Sequence, residues 1–214
     1  MVKWEVMTKF LNGSELVGYI KQRQAQEVRV LRQAHHTIPK LVIIKSNGAS
    51  SVIDTYVRMK QRYSEDILIE TEVLTMTEAA MPEAIRACNE NQAVHGVIVQ
   101  LPLDDISKTD AIVDSIAPDK DVDGLGKNAS FDSATATAVN WLLAGYAVDL
   151  RGKKITIVGG GRLVGRPLAK LWHESGYDVT VLDSTNSDIG SVLQESGVIV
   201  TATGVPHLIT SNMV

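Results

Sequence analysis

The chain has 214 residues, of which 44% are hydrophobic and 21% charged, and its formal net charge is −4. This composition suits one large or two small globular domains, and the acidic balance argues against a general nucleic-acid binder. The N-terminus carries a lysine and a glutamate within five residues, and no apolar run approaches the length of a membrane helix, so we expect no secretory signal and no membrane segment.

The single cysteine, Cys88, cannot form an internal disulfide, which favours a reducing compartment and a cytoplasmic location. Because Cys88 lies in a helical pattern, a buried apolar role is the better interpretation than a nucleophile.

The first half of the chain alternates helical and strand patterns. Helical periodicity covers four segments: residues 14–34, 51–64, 77–91 and 104–117. Short apolar runs predict three strands: residues 41–44, 67–74 and 94–101. This alternation predicts parallel βαβ units, and therefore an α/β fold.

A loop rich in carboxylates, residues 118–124, follows this first unit. Asp121 and Asp123 could ligate a metal, but they fit better as acceptors for loop amides or for the N–H groups of a ligand. The five histidines show no metal-ligand spacing, so we expect no metal site.

The second half reads as a Rossmann-type, doubly wound domain, and we place the boundary between domains 1–133 and 134–214. Three strands are predicted: residues 154–158, 179–182 and 198–202. Three helices are predicted: residues 134–144, 162–175 and 187–196. Doubly wound domains normally have more than three strands, so we expect this domain to be incomplete at its C-terminal end.

A glycine loop separates the first strand of this domain from its helix, with Gly159, Gly160, Gly161 and Gly165 in the spacing G-x-G-x-x-x-G. Glycines here allow a tight turn and close approach of a pyrophosphate to the helix N-terminus. The order strand, loop, helix, strand predicts a dinucleotide site, and the alternative is a packing loop that binds nothing.

Other polar residues leave two interpretations open. Asp183 ends the next strand, where an acid can bind the adenosine ribose or simply cap the following turn. Tyr56 and Lys60 share a helix face, but the stripe of Val52, Tyr56, Met59 and Tyr63 favours a core tyrosine and a solvated lysine on spacing alone.

Gln100 ends an apolar strand, and its side chain either faces a ligand or turns to water. His207 either lines the cofactor cleft or lies on a surface loop.

Five motifs in order resemble the bifunctional methylenetetrahydrofolate dehydrogenase/methenyltetrahydrofolate cyclohydrolase family over nearly the whole chain. They are Tyr56-Val57-Arg58-Met59-Lys60, residues 96–103 (GVIVQLPL), residues 118–124 (PDKDVDG), Val164-Gly165-Arg166-Pro167 and residues 202–207 (ATGVPH). This resemblance overrides the core interpretation of Tyr56 and Lys60.

The resemblance implies oxidation of 5,10-methylenetetrahydrofolate with NAD or NADP, then hydrolysis of the methenyl product to 10-formyltetrahydrofolate. It implies that Tyr56 stacks on the folate, that Lys60 acts in acid–base chemistry tuned by Gln100, and that Asp123 holds the pterin beside Leu101 and Pro102. It also implies a homodimer. We expect cofactor contacts from nine residues: Gly159, Gly160, Gly161, Arg162, Val164, Gly165, Asp183, Thr203 and Gly204.

Several positions depart from the family pattern. The usual Gly-Arg-Ser at the loop is Gly159-Gly160-Gly161, which removes a grip on the 2′-phosphate of NADP and, with Asp183, favours NAD, unless Arg162 or Arg166 compensates. Ile53 replaces a serine, and residues 133–136 (SATA) replace Pro-Cys-Thr-Pro. The family's Pro-Gly-Gly-Val-Gly-Pro-Met-Thr segment is absent from these residues.

Two competing hypotheses remain at the level of sequence. One is a truncated, catalytically impaired relative that still binds folate or nucleotide, which the absent segment suggests. The other is a dehydrogenase for a different small substrate, which only the glycine loop supports.

Overall fold

A computed structural model describes residues 8–186 and 188–214, so the N-terminal residues used to judge a secretory signal, and Ser187, lie outside the described part. Within it, none of the helices combines the length and apolar character needed to cross a membrane. The fold is α/β with two domains, each built on a parallel three-stranded sheet.

In the described part of the chain, the first domain contains four α-helices and three strands. In chain order they are α1 (Gly13–Ala34), β1 (Lys40–Ser46), α2 (Ser51–Asp66), β2 (Glu70–Met76), α3 (Met81–Glu90), β3 (Gly96–Val99) and α4 (Thr109–Val113), and α5 (Ala134–Gly145) follows as the link to the second domain. The sheet order is β2-β1-β3, with β1 in the centre. Because β1 pairs in parallel with both neighbours, the carboxyl ends of all three strands lie at one edge.

Both faces of this sheet are covered, as the continuous apolar runs predict. Val42 and Ile44 of β1 pack with α3 and α4, whereas Ile43 points to the opposite face and packs on Ile53 and Val57 of α2. The buried Lys120 ammonium donates to the backbone oxygens of Cys88, Asn89 and Asn91, which satisfies carbonyls at the end of α3. The carboxylate-rich loop is thereby fixed beside β3, where Val97 N–H donates to the Lys120 carbonyl oxygen.

The second domain contains β4 (Ile155–Val158), α6 (Gly165–Glu174), β5 (Val179–Leu182), α7 (Ile189–Gln194) and β6 (Val198–Thr201), with sheet order β5-β4-β6. Ile155 and Ile157 pack with α6, whose Trp172 is fully buried, and with α5. On the other face, Val158 packs with Leu182 and with Leu193 of α7.

Three boundaries differ from the predictions for local reasons. The predicted strand at 67–74 begins only at Glu70, because Ile67 caps α2 and Leu68 takes a positive φ of 66°. The predicted helix at 104–117 is a short 3-10 turn, Ile106–Lys108, followed by the five residues of α4. The predicted helix at 162–175 begins at Gly165, because residues 162–164 complete the glycine loop.

Candidate active site

Helix α2 presents two different faces. Its Ser50 cap accepts a hydrogen bond from the Ile53 backbone N–H, and Ile53 and Val57 face the core. Tyr56 lies on the opposite side and is 56% exposed, as are Val52 and Met59 to a similar degree. Three of the four residues in the stripe that favoured a core tyrosine are therefore exposed, and the interpretation of Tyr56 as core is wrong.

Lys60 extends from this helix towards the carboxyl edge of the first sheet. Its ammonium donates to Gln100 Oε1 at 3.0 Å, although forty residues separate the two. Asp123 Oδ2 lies 4.0 Å from the same ammonium, and both the lysine and the aspartate side chains are largely shielded from solvent. Three polar groups from α2, the end of β3 and the carboxylate-rich loop thus meet at one point.

Gln100 is held in a fixed orientation. Its Nε2 donates to the Leu101 carbonyl oxygen at 3.1 Å, while its Oε1 accepts from Lys60. Its backbone N–H donates to the Ile44 carbonyl oxygen, which fixes the chain at the end of β3. Leu101 and Pro102 follow directly, joined by a cis peptide bond. The amide therefore presents its oxygen to the lysine.

The two acids of the carboxylate-rich loop have different environments. Asp121 is buried and accepts hydrogen bonds from the backbone N–H groups of Gly124 and Gly126, so it caps loop amides. Burial raises the pKa of Asp123 above its ordinary value; the nearby Lys60 ammonium opposes this shift and Asp121 adds to it. Asp123 is thus the member of the pair that faces Lys60.

The glycine loop fits a dinucleotide because two of its glycines allow no side chain. Gly159 has a φ of 107°, and a Cβ there would lie 2.5 Å from the Ala202 carbonyl oxygen. A Cβ at Gly165 would lie 1.7 Å from the Gly159 carbonyl oxygen. The backbone can therefore turn sharply into the N-terminus of α6, whose first N–H groups suit a pyrophosphate.

A cavity of about 370 Å³ opens beside this loop at the carboxyl ends of β4 and β5. Its lining includes Gly159, Asp183, Asn186, Thr203 and Val205. Such a position, where the strand order reverses around β4, is where open α/β sheets bind ligands. The neighbouring Gly204 is exposed and a Cβ there would meet open space.

Asp183 makes the turn-capping contacts that were one of its two interpretations, and it also lines the cavity. Its Oδ1 accepts from the backbone N–H and the hydroxyl of Thr185, so the carboxylate caps the turn after β5. These hydrogen bonds lower the pKa of Asp183 and keep it charged. The same side chain lines the cavity, so the turn holds a negative charge at its wall.

The tip of the glycine loop contacts residues that the sequence did not single out. Arg162 forms an ion pair with Asp110 of α4, and the Ser133 hydroxyl donates to the Leu163 carbonyl oxygen at 3.4 Å. No spacing signal could have found Asp110, because it lies in another domain and far earlier in the chain. Val164 precedes α6 and is half-buried.

Among residues 8–186 and 188–214, no cluster of three or more His, Cys, Asp or Glu side chains is placed to hold a metal ion. His207 is exposed, with a positive φ of 58°, and lines a shallow cavity with Thr203 and Ile209. Cys88 is buried in the first core, and burial raises the pKa of its thiol, which fits the apolar role predicted for it.

Two family models match the chain in sequence order. The model for the catalytic domain of tetrahydrofolate dehydrogenase/cyclohydrolase matches residues 11–123, and the model for its NAD(P)-binding domain matches residues 133–214. Among curated relatives, the bifunctional protein FolD of Macrococcus caseolyticus is 33% identical over 221 residues. That alignment covers 96% of this chain and 77% of the relative.

Solved structures give the same picture. The bifunctional enzyme FolD, a methylenetetrahydrofolate dehydrogenase/cyclohydrolase from Campylobacter jejuni, superposes with a TM-score of 0.90 at 30% identity, covering 96% of this chain and 77% of that one. The N5,N10-methylenetetrahydrofolate dehydrogenase-cyclohydrolase of Trypanosoma brucei, complexed with NADP and an inhibitor, superposes with a TM-score of 0.87 at 27% identity. That superposition covers 94% of this chain and 74% of the Trypanosoma chain.

Proposed function

Because the chain belongs to the tetrahydrofolate dehydrogenase/cyclohydrolase family, we propose that Lys60, Gln100 and Asp123 form the centre of its active site. The protein is an NAD(P)-dependent methylenetetrahydrofolate dehydrogenase and methenyltetrahydrofolate cyclohydrolase. The matching family models and the bifunctional relatives favour this enzyme over the hypothesis of a catalytically impaired relative. It oxidises 5,10-methylenetetrahydrofolate to the methenyl form and hydrolyses that product to 10-formyltetrahydrofolate. The convergence of the Gln100 and Asp123 side chains on the Lys60 ammonium carries the assignment of roles.

We assign folate binding to residues 1–133 and dinucleotide binding to residues 134–214. The packing of α5 on the second core supports this boundary, because Val139 and Leu143 contact the cluster around Trp172. Tyr56 is exposed beside Lys60 on α2, so its ring is available to stack on a planar pterin or benzoyl group. Leu101 and Pro102 follow Gln100 and would complete the wall of the substrate site.

Lys60 is the group that handles protons in hydrolysis. Water that attacks the methenyl carbon must lose a proton, and a neutral Lys60 Nζ can accept it. Gln100 Oε1 fixes where the Nζ group points, because its own amide is tied to the Leu101 carbonyl oxygen. Asp123 places a carboxylate 4.0 Å from Nζ and offsets the positive charge that would otherwise lie beside a cationic product.

Asp123 also has the chemistry to hold the pterin ring. A shielded carboxylate accepts hydrogen bonds from N–H groups of a heterocycle more strongly than an exposed one does. With Tyr56 four residues before Lys60 on α2 and Asp123 4.0 Å from the Lys60 ammonium, we propose that the ring binds beside all three side chains. Binding of the pterin N–H groups would also compensate for the burial of Asp123.

The second domain supplies the binding site for the nicotinamide dinucleotide, which accepts a hydride from the methylene carbon when bound. Gly159 and Gly165 let the backbone approach the pyrophosphate, and Gly160, Gly161, Arg162 and Val164 complete the loop around it. Thr203 and Gly204 lie after β6, and Thr203 lines the same cavity as Asp183.

We propose NAD as the preferred cofactor. Gly160 and Gly161 offer no side chain that could bind a 2′-phosphate. The charged Asp183 at the cavity wall would repel a 2′-phosphate, whereas it would accept hydrogen bonds from the ribose hydroxyls of NAD. Arg162 is engaged with Asp110 rather than with Asp183.

Steady-state dehydrogenase assays with NAD and NADP in parallel test this choice together with the activity. We expect kcat/KM to be at least about tenfold higher with NAD, the effect of one lost charge-assisted hydrogen bond or more. A higher kcat/KM with NADP would refute the preference and leave the folate activity intact.

We further propose a homodimer and a cytoplasmic location. The family resemblance supports the first, and a single buried thiol, suited to a reducing compartment, supports the second. Light scattering coupled to gel filtration should give twice the 23.2 kDa of the chain. A mass of one chain at micromolar concentration would contradict the dimer.

A further inference from the structure

Two side-chain contacts tie the tip of the glycine loop to residues outside the second sheet. The Arg162 guanidinium pairs with the Asp110 carboxylate of α4 in the first domain. The hydroxyl of Ser133, the residue that precedes α5, donates to the Leu163 carbonyl oxygen. Arg162 and Leu163 are therefore both held by residues of the folate-binding domain.

The two contacts differ in their surroundings. Ser133 is only 4% exposed, so its hydroxyl has little access to water. Loss of its hydrogen-bond partner would therefore cost free energy that water could not restore. The Arg162 side chain is 31% exposed and the Asp110 side chain 71%. An ion pair this exposed adds little to the free energy of folding, so its effect is to hold Arg162 in place. Asp110 otherwise lies on the solvent side of α4, which makes its substitution compatible with folding.

We propose that Asp110 and Ser133 are positioning residues that hold the glycine loop against the folate domain and so set where the dinucleotide lies relative to the folate. The inference rests on the proposed function, since it concerns how two bound molecules are brought together. Neither residue needs to touch the reacting atoms: Asp110 acts through Arg162, and Ser133 acts through the Leu163 backbone.

Hydride transfer makes this position important. The donor and acceptor carbons must approach to about 3–3.5 Å, and a misplacement of about 1 Å can cost a large factor in rate. One carbon belongs to a ligand of the first domain and the other to a ligand of the second. The loop that holds the pyrophosphate is therefore the element whose position relative to the first domain most directly sets that distance. Hydrolysis of the methenyl group needs no dinucleotide and should not depend on the loop.

The test compares Asp110→Asn, Ser133→Ala and the double variant with the unmodified chain. Asp114→Asn is the matched control, because Asp114 is an exposed acid at the end of α4 whose carboxylate accepts from the Lys127 backbone N–H within the first domain. For each protein, isothermal titration gives the Kd of NAD and of NADP, and steady-state assays give dehydrogenase and cyclohydrolase rates.

We expect each single variant to raise the Kd of the preferred dinucleotide about threefold, and the double variant about tenfold, as for the loss of one and then two polar contacts that act on the site indirectly. Dehydrogenase kcat should fall in the same order, whereas cyclohydrolase activity should stay within about twofold. Asp110→Glu, which keeps the charge, should restore most of the affinity, and Asp114→Asn should match the unmodified chain.

Two results would overturn the proposal. One is a Kd for Asp110→Asn and Ser133→Ala equal to that of Asp114→Asn. The other is an equal loss of dehydrogenase and cyclohydrolase activity, which would indicate a general structural defect. Because dinucleotide binding is measured without turnover, absence of folate activity in the unmodified chain would refute the proposed function without deciding the role of Asp110.

Discussion

Lys60 Nζ lies 3.0 Å from Gln100 Oε1, on the side of α2 that faces the end of β3. Val57 precedes Lys60 by less than one turn of α2 and packs in the same core cluster as Ile98 of β3, which lies two residues before Gln100. Packing of α2 on the sheet therefore fixes the distance between the two polar groups.

Substitution of Lys60 by methionine should abolish cyclohydrolase activity. Methionine keeps an unbranched side chain but cannot accept or donate a proton, so we expect a loss of about 10²–10⁴-fold in kcat, the usual contribution of general acid–base catalysis. Hydrolysis of methenyltetrahydrofolate followed by absorbance measures it. Arg62→Met, an exposed position on the same helix, is the control and should retain full activity. Unchanged hydrolysis in Lys60→Met would remove the assigned role.

Substitution of Gln100 by glutamate should shift the pH profile of hydrolysis. A carboxylate at the position of Oε1 would stabilise the ammonium form of Lys60, so a higher pH is needed before the amine can accept a proton. We expect the acidic limb of kcat to move upward by about one pH unit. Gln100→Met, which is neutral and has no acceptor, should lower kcat without that upward movement. A profile that stays in place in Gln100→Glu would place Lys60 outside the proton-transfer step.

Replacement of Asp123 by asparagine should make the protein more stable at neutral pH while weakening folate binding. Burial raises the pKa of Asp123, so the folded state favours its protonated form, and the folded protein becomes relatively less stable as pH rises through that raised value. Below the unfolded pKa both states are protonated and the penalty is absent.

Urea unfolding over about pH 4 to pH 8 measures this effect. The free energy of unfolding of Asp123→Asn, minus that of the unmodified chain, should increase as pH rises across this range. The affinity of the variant for folate should be lower. Asp119→Asn, an exposed position in the same loop, serves as the comparison and should show neither change. A variant whose free energy of unfolding falls below that of the unmodified chain as pH rises would contradict the prediction, because it would mean that the Lys60–Asp123 attraction outweighs the cost of burial.

Much of the fold was predictable because its signals are local. Residues 179–182 were predicted as a strand and form β5, and the alternation of strands and helices gave the parallel sheets. Gly176 follows directly after the predicted helix 162–175 and has a positive φ of 82°, a conformation that glycine adopts without a steric penalty.

Errors occurred where tertiary contacts decide. Periodicity cannot distinguish the core face of α2, with Ile53 and Val57, from the exposed stripe that carries Tyr56, because both are apolar. The contact between Arg162 and Asp110 has no signal in local spacing, since the two residues lie in different domains and 52 positions apart in the chain. The family resemblance, rather than the pattern of residues, gave the roles proposed for Tyr56 and Lys60.

Restoration of the family's arginine and serine should change cofactor preference, because the loop has room for both side chains. A Cβ at Gly160 would meet Val181 at 3.5 Å, an ordinary contact, and a Cβ at Gly161 would meet nothing within 4 Å. In the double variant Gly160→Arg/Gly161→Ser, a guanidinium and a hydroxyl can donate to a 2′-phosphate, and each such charge-assisted bond contributes about 1.5–3 kcal/mol. We expect the ratio of kcat/KM for NADP over NAD to rise at least about tenfold. Gly160→Ala/Gly161→Ala, which adds Cβ atoms without donors, should leave that ratio unchanged; an equal rise there would mean that loop rigidity, rather than phosphate recognition, sets the preference.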